Sequence, residues 1–279
     1  MRFFGWLLSG SVALTLLSGC AFTHPDPASQ ARLLVGKGRP AEAAAELEAH
    51  LRAHPEALPE RRLLIRVYAA MGQLGKAQAH AETLSKTLGP SSPSPFVELG
   101  FALELSHRYD EALEQYDRAA AVAPRDPLGP TTAGMRAARW GEAELAEPRL
   151  VEGLRRDARN AEAWHALGLV RARLGNLDGA GEAYRSGLRA DPHAVEDHVG
   201  LATLALLRGD PSAALAEYDA VVSARPHFAD AQLGRAWALM KLGRLDDAQR
   251  ALDRAQELGA SAQPLSAQRR ALAALRSMH

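Results

Sequence analysis

A 34-residue spacing runs through most of this chain. The spacing links seven positions, six occupied by glycine and one by histidine: Gly38, Gly72, His107, Gly141, Gly175, Gly209 and Gly243. An alanine follows each of them five residues later, from Ala43 to Ala248. One extra residue lies between the second and third units. Such a period predicts stacked supersecondary units rather than one closed core, and it favours a binding scaffold over an enzyme with a pocket.

Residues 161–194 show how one unit is expected to fold. Apolar residues follow helical spacing up to Leu174, without the alternation of a strand. Gly175 and Asn176 then interrupt the pattern, as a tight turn between two helices requires. A second helical run extends to Leu188, and Pro192 ends it because proline disfavours helix at the preceding residue. The sequence therefore predicts an all-α fold of helix-turn-helix units.

The same unit carries the residues of a known repeat. At the offsets of the pattern W-x2-L-G…A-x3-F…P it has Trp164, Leu167, Gly168, Ala180, Tyr184 and Pro192. Unit 93–126 matches with Phe96, Leu99, Gly100, Ala112, Tyr116 and Pro124. The chain thus resembles the tetratricopeptide repeat (TPR) family over residues 24–262. The resemblance implies a right-handed α-solenoid of about seven repeats, with units 24–57, 58–91, 93–126, 127–160, 161–194, 195–228 and 229–262.

Three features modify this regular array. Prolines crowd residues 89–95, which we interpret either as an interrepeat turn or as a flexible joint. Pro148 lies inside the second helix of unit 127–160, where we expect a kink because proline removes a hydrogen bond and clashes with the preceding turn. Residues 263–279 are predicted to form a capping helix, since the last unit of a solenoid needs a polar outer face.

The N-terminus predicts export and lipidation. Residues 1–19 have the short positive start and apolar core of a signal peptide, and the apolar run from Phe3 to Leu17 is too short to span a bilayer comfortably. Residues 17–20, LSGC, resemble a bacterial lipobox. That resemblance implies cleavage before Cys20, a lipid on its sulfur, and residues 20–23 as a lipidated tether. Ala21 after it favours the outer membrane, on its periplasmic face. The alternative is an ordinary signal peptide with an incidental cysteine.

Composition and motifs argue against several other functions. Lys plus Arg and Asp plus Glu number 33 each, so net charge gives no reason to expect nucleic-acid binding. No P-loop, G-x-S-x-G, H-E-x-x-H or C-x-x-C motif is present. His50 and His54 lie one helical turn apart, but no third metal ligand is near them in sequence. We therefore expect no catalytic site, no metal and no cofactor.

The family resemblance also implies a binding surface. In TPR proteins the first helices of successive units line a concave groove, and the second, fifth, sixth, ninth, twelfth and thirteenth positions of each unit tend to face the ligand. From the fifth and ninth of these positions we predict a partner-binding groove that is basic in its first two units and apolar from the third onward. Leu169 above all could instead belong to the core between repeats. The predicted groove residues are Arg62, Arg66, Val97, Phe101, Met135, His165, Leu169, Val199, Leu233 and Trp237.

Two functional classes share this anchor and groove. The chain resembles TPR lipoproteins that accompany pilus and secretion systems, where they act as pilotins for the secretin channel or as assembly factors. This favours a membrane-anchored scaffold with a secretin or another envelope-machine component as its protein partner. The alternative is an envelope adaptor for peptidoglycan hydrolases, proteases or outer-membrane barrel assembly.

Overall fold

The computed structural model describes residues 26–278, and within that range it contains fifteen α-helices and no strand. The predicted signal peptide, Cys20 and the tether lie outside the described residues. The all-α solenoid predicted from the repeat is confirmed. The helices are α1 (Pro27–Gly36), α2 (Pro40–Ala53), α3 (Leu58–Ala70), α4 (Leu74–Leu88), α5 (Ser94–Leu105), α6 (Tyr109–Val122), α7 (Leu128–Trp140), α8 (Ala143–Arg156), α9 (Ala161–Arg173), α10 (Leu177–Ala190), α11 (Val195–Leu207), α12 (Pro211–Ala224), α13 (Ala229–Lys241), α14 (Leu245–Glu257) and α15 (Ala262–Ser277).

Consecutive helices pair into seven hairpins, and α15 follows the last of them. The odd-numbered helices are the first helices of the repeats, and several neighbours among them also contact each other, such as α7 with α9 and α9 with α11. This stacking places first helices side by side along one face. No helix among residues 26–278 is both long enough and apolar enough to cross a bilayer.

The turns between the two helices of each repeat use a left-handed backbone. The six register glycines have φ between 70° and 97°, and His107 at the seventh position has φ 58°. Among the described residues His107 is the one non-glycine with positive φ. Glycine dominates these positions because a Cβ atom is disfavoured in this conformation.

The alanines of the register lie where two helices approach most closely. All seven are fully buried: Ala43, Ala77, Ala112, Ala146, Ala180, Ala214 and Ala248. Glycines on the first helices have a related role. The Tyr184 ring covers both Gly168 of its own repeat and Gly200 of the next, and a Cβ at either position would overlap the ring. The alanines and glycines of the repeat pattern therefore mark the places where two helix backbones approach each other closely.

The two irregular regions, around Pro148 and at residues 89–95, do not interrupt the stacking of the helices. Helix α8 runs continuously from Ala143 to Arg156 with Pro148 inside it, and Gly134 and Gly153 allow close packing between α7 and α8. At residues 89–95, Pro93 and Pro95 are buried, and the N-terminal core cluster extends into α5 through Ala102. This continuity favours the interrepeat turn over a flexible joint.

Candidate functional site

A concave groove lies across the first helices of the fourth, fifth and sixth repeats. Its volume is 680 Å³. An adjoining apolar depression of 410 Å³ shares His165, Leu169 and Glu196 with it and extends along α11 to Val199 and Leu207. We call the larger cavity the central groove. The lining residues that matter below are Met135, Arg139, His165, Leu169, Arg173 and Glu196.

Four predicted residues meet in this region. Met135, His165 and Leu169 line the central groove, and Val199 lines the adjoining depression. Leu169 is 52% exposed, so it is a surface residue and not part of the core between repeats. An exposed apolar patch on a concave face marks a surface that protein partners bury.

Two predicted residues are inside the fold. Val97 and Leu233 are each only 5% exposed and belong to the cores of the third and seventh repeats. At these fifth positions the neighbouring helices cover the side chain, so neither residue offers an apolar surface to a partner.

Phe101 is held by two arginines outside the central groove. The guanidinium carbon of Arg66 lies 4.7 Å from the ring centroid and that of Arg136 lies 5.5 Å away. Arg66 donates two hydrogen bonds to the buried Glu98, at 2.7 and 3.0 Å, and Arg136 pairs with the buried Glu104 at 2.6 Å. The positive charge predicted here from Arg66 is therefore compensated within the protein.

The remaining two predicted residues also have partners within the fold. The Nη2 of Arg62 donates to the Ser94 hydroxyl at 3.1 Å. Trp237 is partly buried against the C-terminal core cluster, and the ammonium of Lys241 lies 5.0 Å from its ring centroid. Neither residue lines the central groove.

A buried carboxylate supports the wall of the central groove. The fully buried Asp197 on α11 is hydrogen-bonded to Nδ1 of His165 on α9 at 2.7 Å. Gly187 leaves the space for Asp197, because a Cβ there would overlap its Oδ2. Burial, together with the negative charge of Asp197, raises the pKa of the neighbouring Tyr184 to about 12. An unpaired buried carboxylate is costly, so His165 is held in one orientation at the groove surface.

Sequence reasoning did not identify the carboxylates that pair with these arginines and with His165, although a regular spacing in the sequence marks them. Polar pairs separated by 32 residues recur between neighbouring repeats: Arg66–Glu98, Glu104–Arg136, Asp117–Arg149 and His165–Asp197. A search at one repeat length minus two residues would have found them. Among residues 26–278, no group of three or more His, Cys, Asp or Glu side chains is placed to hold a metal ion.

Comparisons with known proteins agree with this geometry. Two family models, both described as tetratricopeptide repeat, match residues 131–195 and 205–275. The crystal structure of the C-terminal part of a TPR repeat-containing protein from Cytophaga hutchinsonii is 16% identical, with a TM-score of 0.64, and the match covers 86% of this chain and 98% of that chain. The MamA protein structure is 19% identical, with a TM-score of 0.56, over 60% of this chain and 91% of that one. No curated protein matches the chain significantly.

These matches and the seven hairpins define the class of the molecule, an all-helical repeat scaffold. The chain has the fold of a tetratricopeptide repeat solenoid, and its residues 131–195 and 205–275 match models of that repeat. Proteins built from this repeat bind other proteins and are typically non-catalytic.

Proposed function

We propose that this protein is a lipid-anchored scaffold that holds a segment of a partner protein in its central groove, during assembly of an outer-membrane pilus or secretion machine. The observation that carries the binding site is the half-exposed Leu169 in a concave, largely apolar cavity beside Met135. Leu169 is already about half covered, so burial of its exposed part by a partner contributes about 1 kcal/mol.

The anchor part of the proposal rests on the lipobox-like residues 17–20. Helix α1 begins at Pro27 with Asp26 as its N-cap. The seven residues from Cys20 to Asp26 reach at most about 25 Å when extended, so an anchored solenoid works close to the membrane surface. We expect a Cys20→Ala variant to leave the membrane fraction, and continued membrane association would contradict the anchor.

Photo-crosslinking tests the binding site directly. A photoreactive residue in place of Leu169 is expected to capture a protein partner in cells. The same residue in place of Val151, which is 43% exposed on α8 and lies outside the central groove, serves as the matched control. Equal capture from both positions, or capture from position 151 alone, would exclude the central groove as the binding site.

The identity of the partner separates the two functional classes. If the scaffold serves a secretion machine, a secretin or another component of that machine crosslinks at position 169, and secretin multimers are lost in a deletion strain. Recovery of a peptidoglycan hydrolase, a protease or a barrel-assembly component, with secretin multimers intact, would instead establish the envelope-adaptor function.

A further inference from the structure

Charge is unevenly distributed along the central groove. One end of the groove, near the starts of α9 and α11, carries the carboxylates. Glu196 pairs with Arg225 at 2.8 Å and Asp197 is hydrogen-bonded to His165, and the other two are Glu162 and Asp191. The opposite end carries Arg139 and Arg173, close to the ends of α7 and α9. Both side chains are exposed, and within residues 26–278 neither makes a hydrogen bond or an ion pair.

The side chain of Arg173 reaches the turn at the end of α7. Its Nη1 atom lies 3.6 Å from the position that a Cβ would take on Gly141, the C-cap of α7, two residues beyond Arg139. Glu162 at the start of α9 is about 16 Å from Arg173 along the helix, too far to compensate this charge. Two exposed cations therefore line this end of the central groove.

The register shows that this pair is specific to the central groove. Arg139 and Arg173 occupy the thirteenth position of the fourth and fifth units. The other units have Gly36, Ala70, Leu105, Leu207 and Lys241 at that position. On the other first helices, Arg66 is matched by a buried glutamate and Arg62 donates to the Ser94 hydroxyl, and Arg136 on α7 is also matched by a buried glutamate. Arg139 and Arg173 lie on the two helices that carry Met135 and Leu169.

We propose that the central groove selects a protein segment with an acidic side chain, which Arg139 and Arg173 bind, and with apolar side chains packed on Met135 and Leu169. This inference rests on the proposed function and names the chemistry of the partner. A guanidinium donates paired hydrogen bonds to a carboxylate, and the partly enclosed groove strengthens such bonds.

The spacing of the site restricts the ligand further. Leu169 and Arg173 are one helical turn apart, which is about 6 Å along α9. An extended segment covers that distance with about two residues, and a helical segment covers it with about four. The ligand is therefore expected to carry Asp or Glu two residues from a large apolar residue if extended, or four residues from it if helical.

Selection of peptides from a random 12-residue phage library, on the purified full-length protein, tests this chemistry. We expect the recovered peptides to share an Asp or Glu at one of those spacings from Leu, Ile, Phe or Met. Affinity of the synthesised peptides is expected to fall about tenfold or more for Arg139→Ala or Arg173→Ala. Arg185→Ala, which removes an exposed arginine from α10, is the matched control and should leave affinity unchanged.

A charge-reversal variant of Arg173 and a variant of the apolar Leu169 distinguish failure of the acidic chemistry from failure of the binding site. Arg173→Glu is expected to prefer peptides in which Lys replaces the acidic residue. If the peptides bind, lose affinity with Leu169→Arg, and ignore both arginine variants, the acidic chemistry is wrong while the groove remains the binding site. If Leu169→Arg also has no effect, or no peptide is recovered, both the inference and the proposed binding site are overturned. Thermal melts by circular dichroism confirm that each variant is folded.

Discussion

At the scale of single residues, the repeat is marked by backbone conformation as much as by side chains. All seven register positions adopt the left-handed conformation that the recurring glycines predict. At His107 the structure holds a side chain where the other repeats have none, and its Nδ1 lies 3.2 Å from the Tyr109 hydroxyl on the surface. This position stores strain that its counterparts avoid.

We expect His107→Gly to stabilise the protein by about 1 kcal/mol. Relief of the left-handed strain, about 1–2 kcal/mol, outweighs the added entropy of glycine in the unfolded chain, about 0.4–1 kcal/mol. The midpoint of urea denaturation, followed by circular dichroism, measures the change. Gly175→Ala, at the same register position of the fifth repeat, should shift the midpoint in the opposite direction. A lower midpoint for His107→Gly would show that the surface contact with Tyr109 matters more than the strain.

The buried Tyr184 gives the protein a dependence on alkaline pH. Its pKa is about 12 in the folded protein, against an ordinary value of 10. A raised folded-state pKa favours the protonated, folded form, so this contribution is fully present below pH 10 and is lost as pH rises through 12. Two pKa units correspond to about 2.7 kcal/mol at most.

We therefore expect Tyr184→Phe to flatten the loss of stability between pH 10 and pH 12. Denaturation midpoints of the two proteins, measured at pH 9, 10, 11 and 12, give the comparison. Other tyrosines and lysines titrate equally in both proteins, so the difference between the two curves isolates Tyr184. Parallel curves would mean that Tyr184 ionises as easily in the folded as in the unfolded protein.

At the scale of helices, the packing depends on small residues facing large ones. Tyrosines on the second helices cover glycines on the first helices: Tyr116 covers Gly100, Tyr184 covers Gly168 and Tyr218 covers Gly234. Polar pairs at a spacing of 32 residues join the second repeat to the third, the third to the fourth and the fifth to the sixth, such as Arg66 with Glu98. Close approach and polar pairing together keep adjacent repeats in register.

Two glycine-to-alanine changes test the close packing between helices. We expect Gly168→Ala to destabilise the protein by about 1–3 kcal/mol, because the new methyl group overlaps the Tyr184 ring. Gly75→Ala is the control, since Gly75 lies in the exposed first turn of α4 with open space around it. That change should be neutral or stabilising by up to about 1 kcal/mol. Urea denaturation of both variants provides the measurement, and equal effects would contradict the packing argument.

At the scale of the whole molecule, the two ends of the described solenoid differ. Helix α15 covers the last repeat with Leu265 and Leu272, both buried in the C-terminal core cluster. At the other end, Leu33 on α1 is 57% exposed. The same register position is buried at Val67, Val170 and Leu204, where a preceding repeat covers it. A solenoid buries each unit with its neighbours, so its terminal units depend on separate arrangements.

We expect Leu272→Ala to destabilise the C-terminal repeats by about 2–5 kcal/mol, because it removes the most buried side chain of α15. Met278→Ala, at the exposed end of the same helix, should have little effect. Amide hydrogen exchange is the suitable measurement, since it reports α13 and α14 separately from the N-terminal repeats. Unchanged exchange in those helices would show that α15 does not act as a cap.

The sequence by itself determined the repeat length, the helix-turn-helix unit and the left-handed turns, because these follow from local periodicity and from the conformational freedom of glycine. Through the family resemblance it also predicted a groove along the fifth and ninth positions of the units. At the fifth position, sequence register could not tell Val199, which lines the adjoining depression, from the buried Val97 and Leu233.

Only the tertiary structure decided that difference, because exposure depends on which helix of a neighbouring repeat covers each position. The same holds for charge. Nothing in the local sequence distinguishes Arg66 from Arg173, but the fold brings Glu98 to Arg66 and leaves Arg173 without an ion pair among the described residues. The binding chemistry of this scaffold therefore depends on distances between residues of different repeats, which no local pattern specifies.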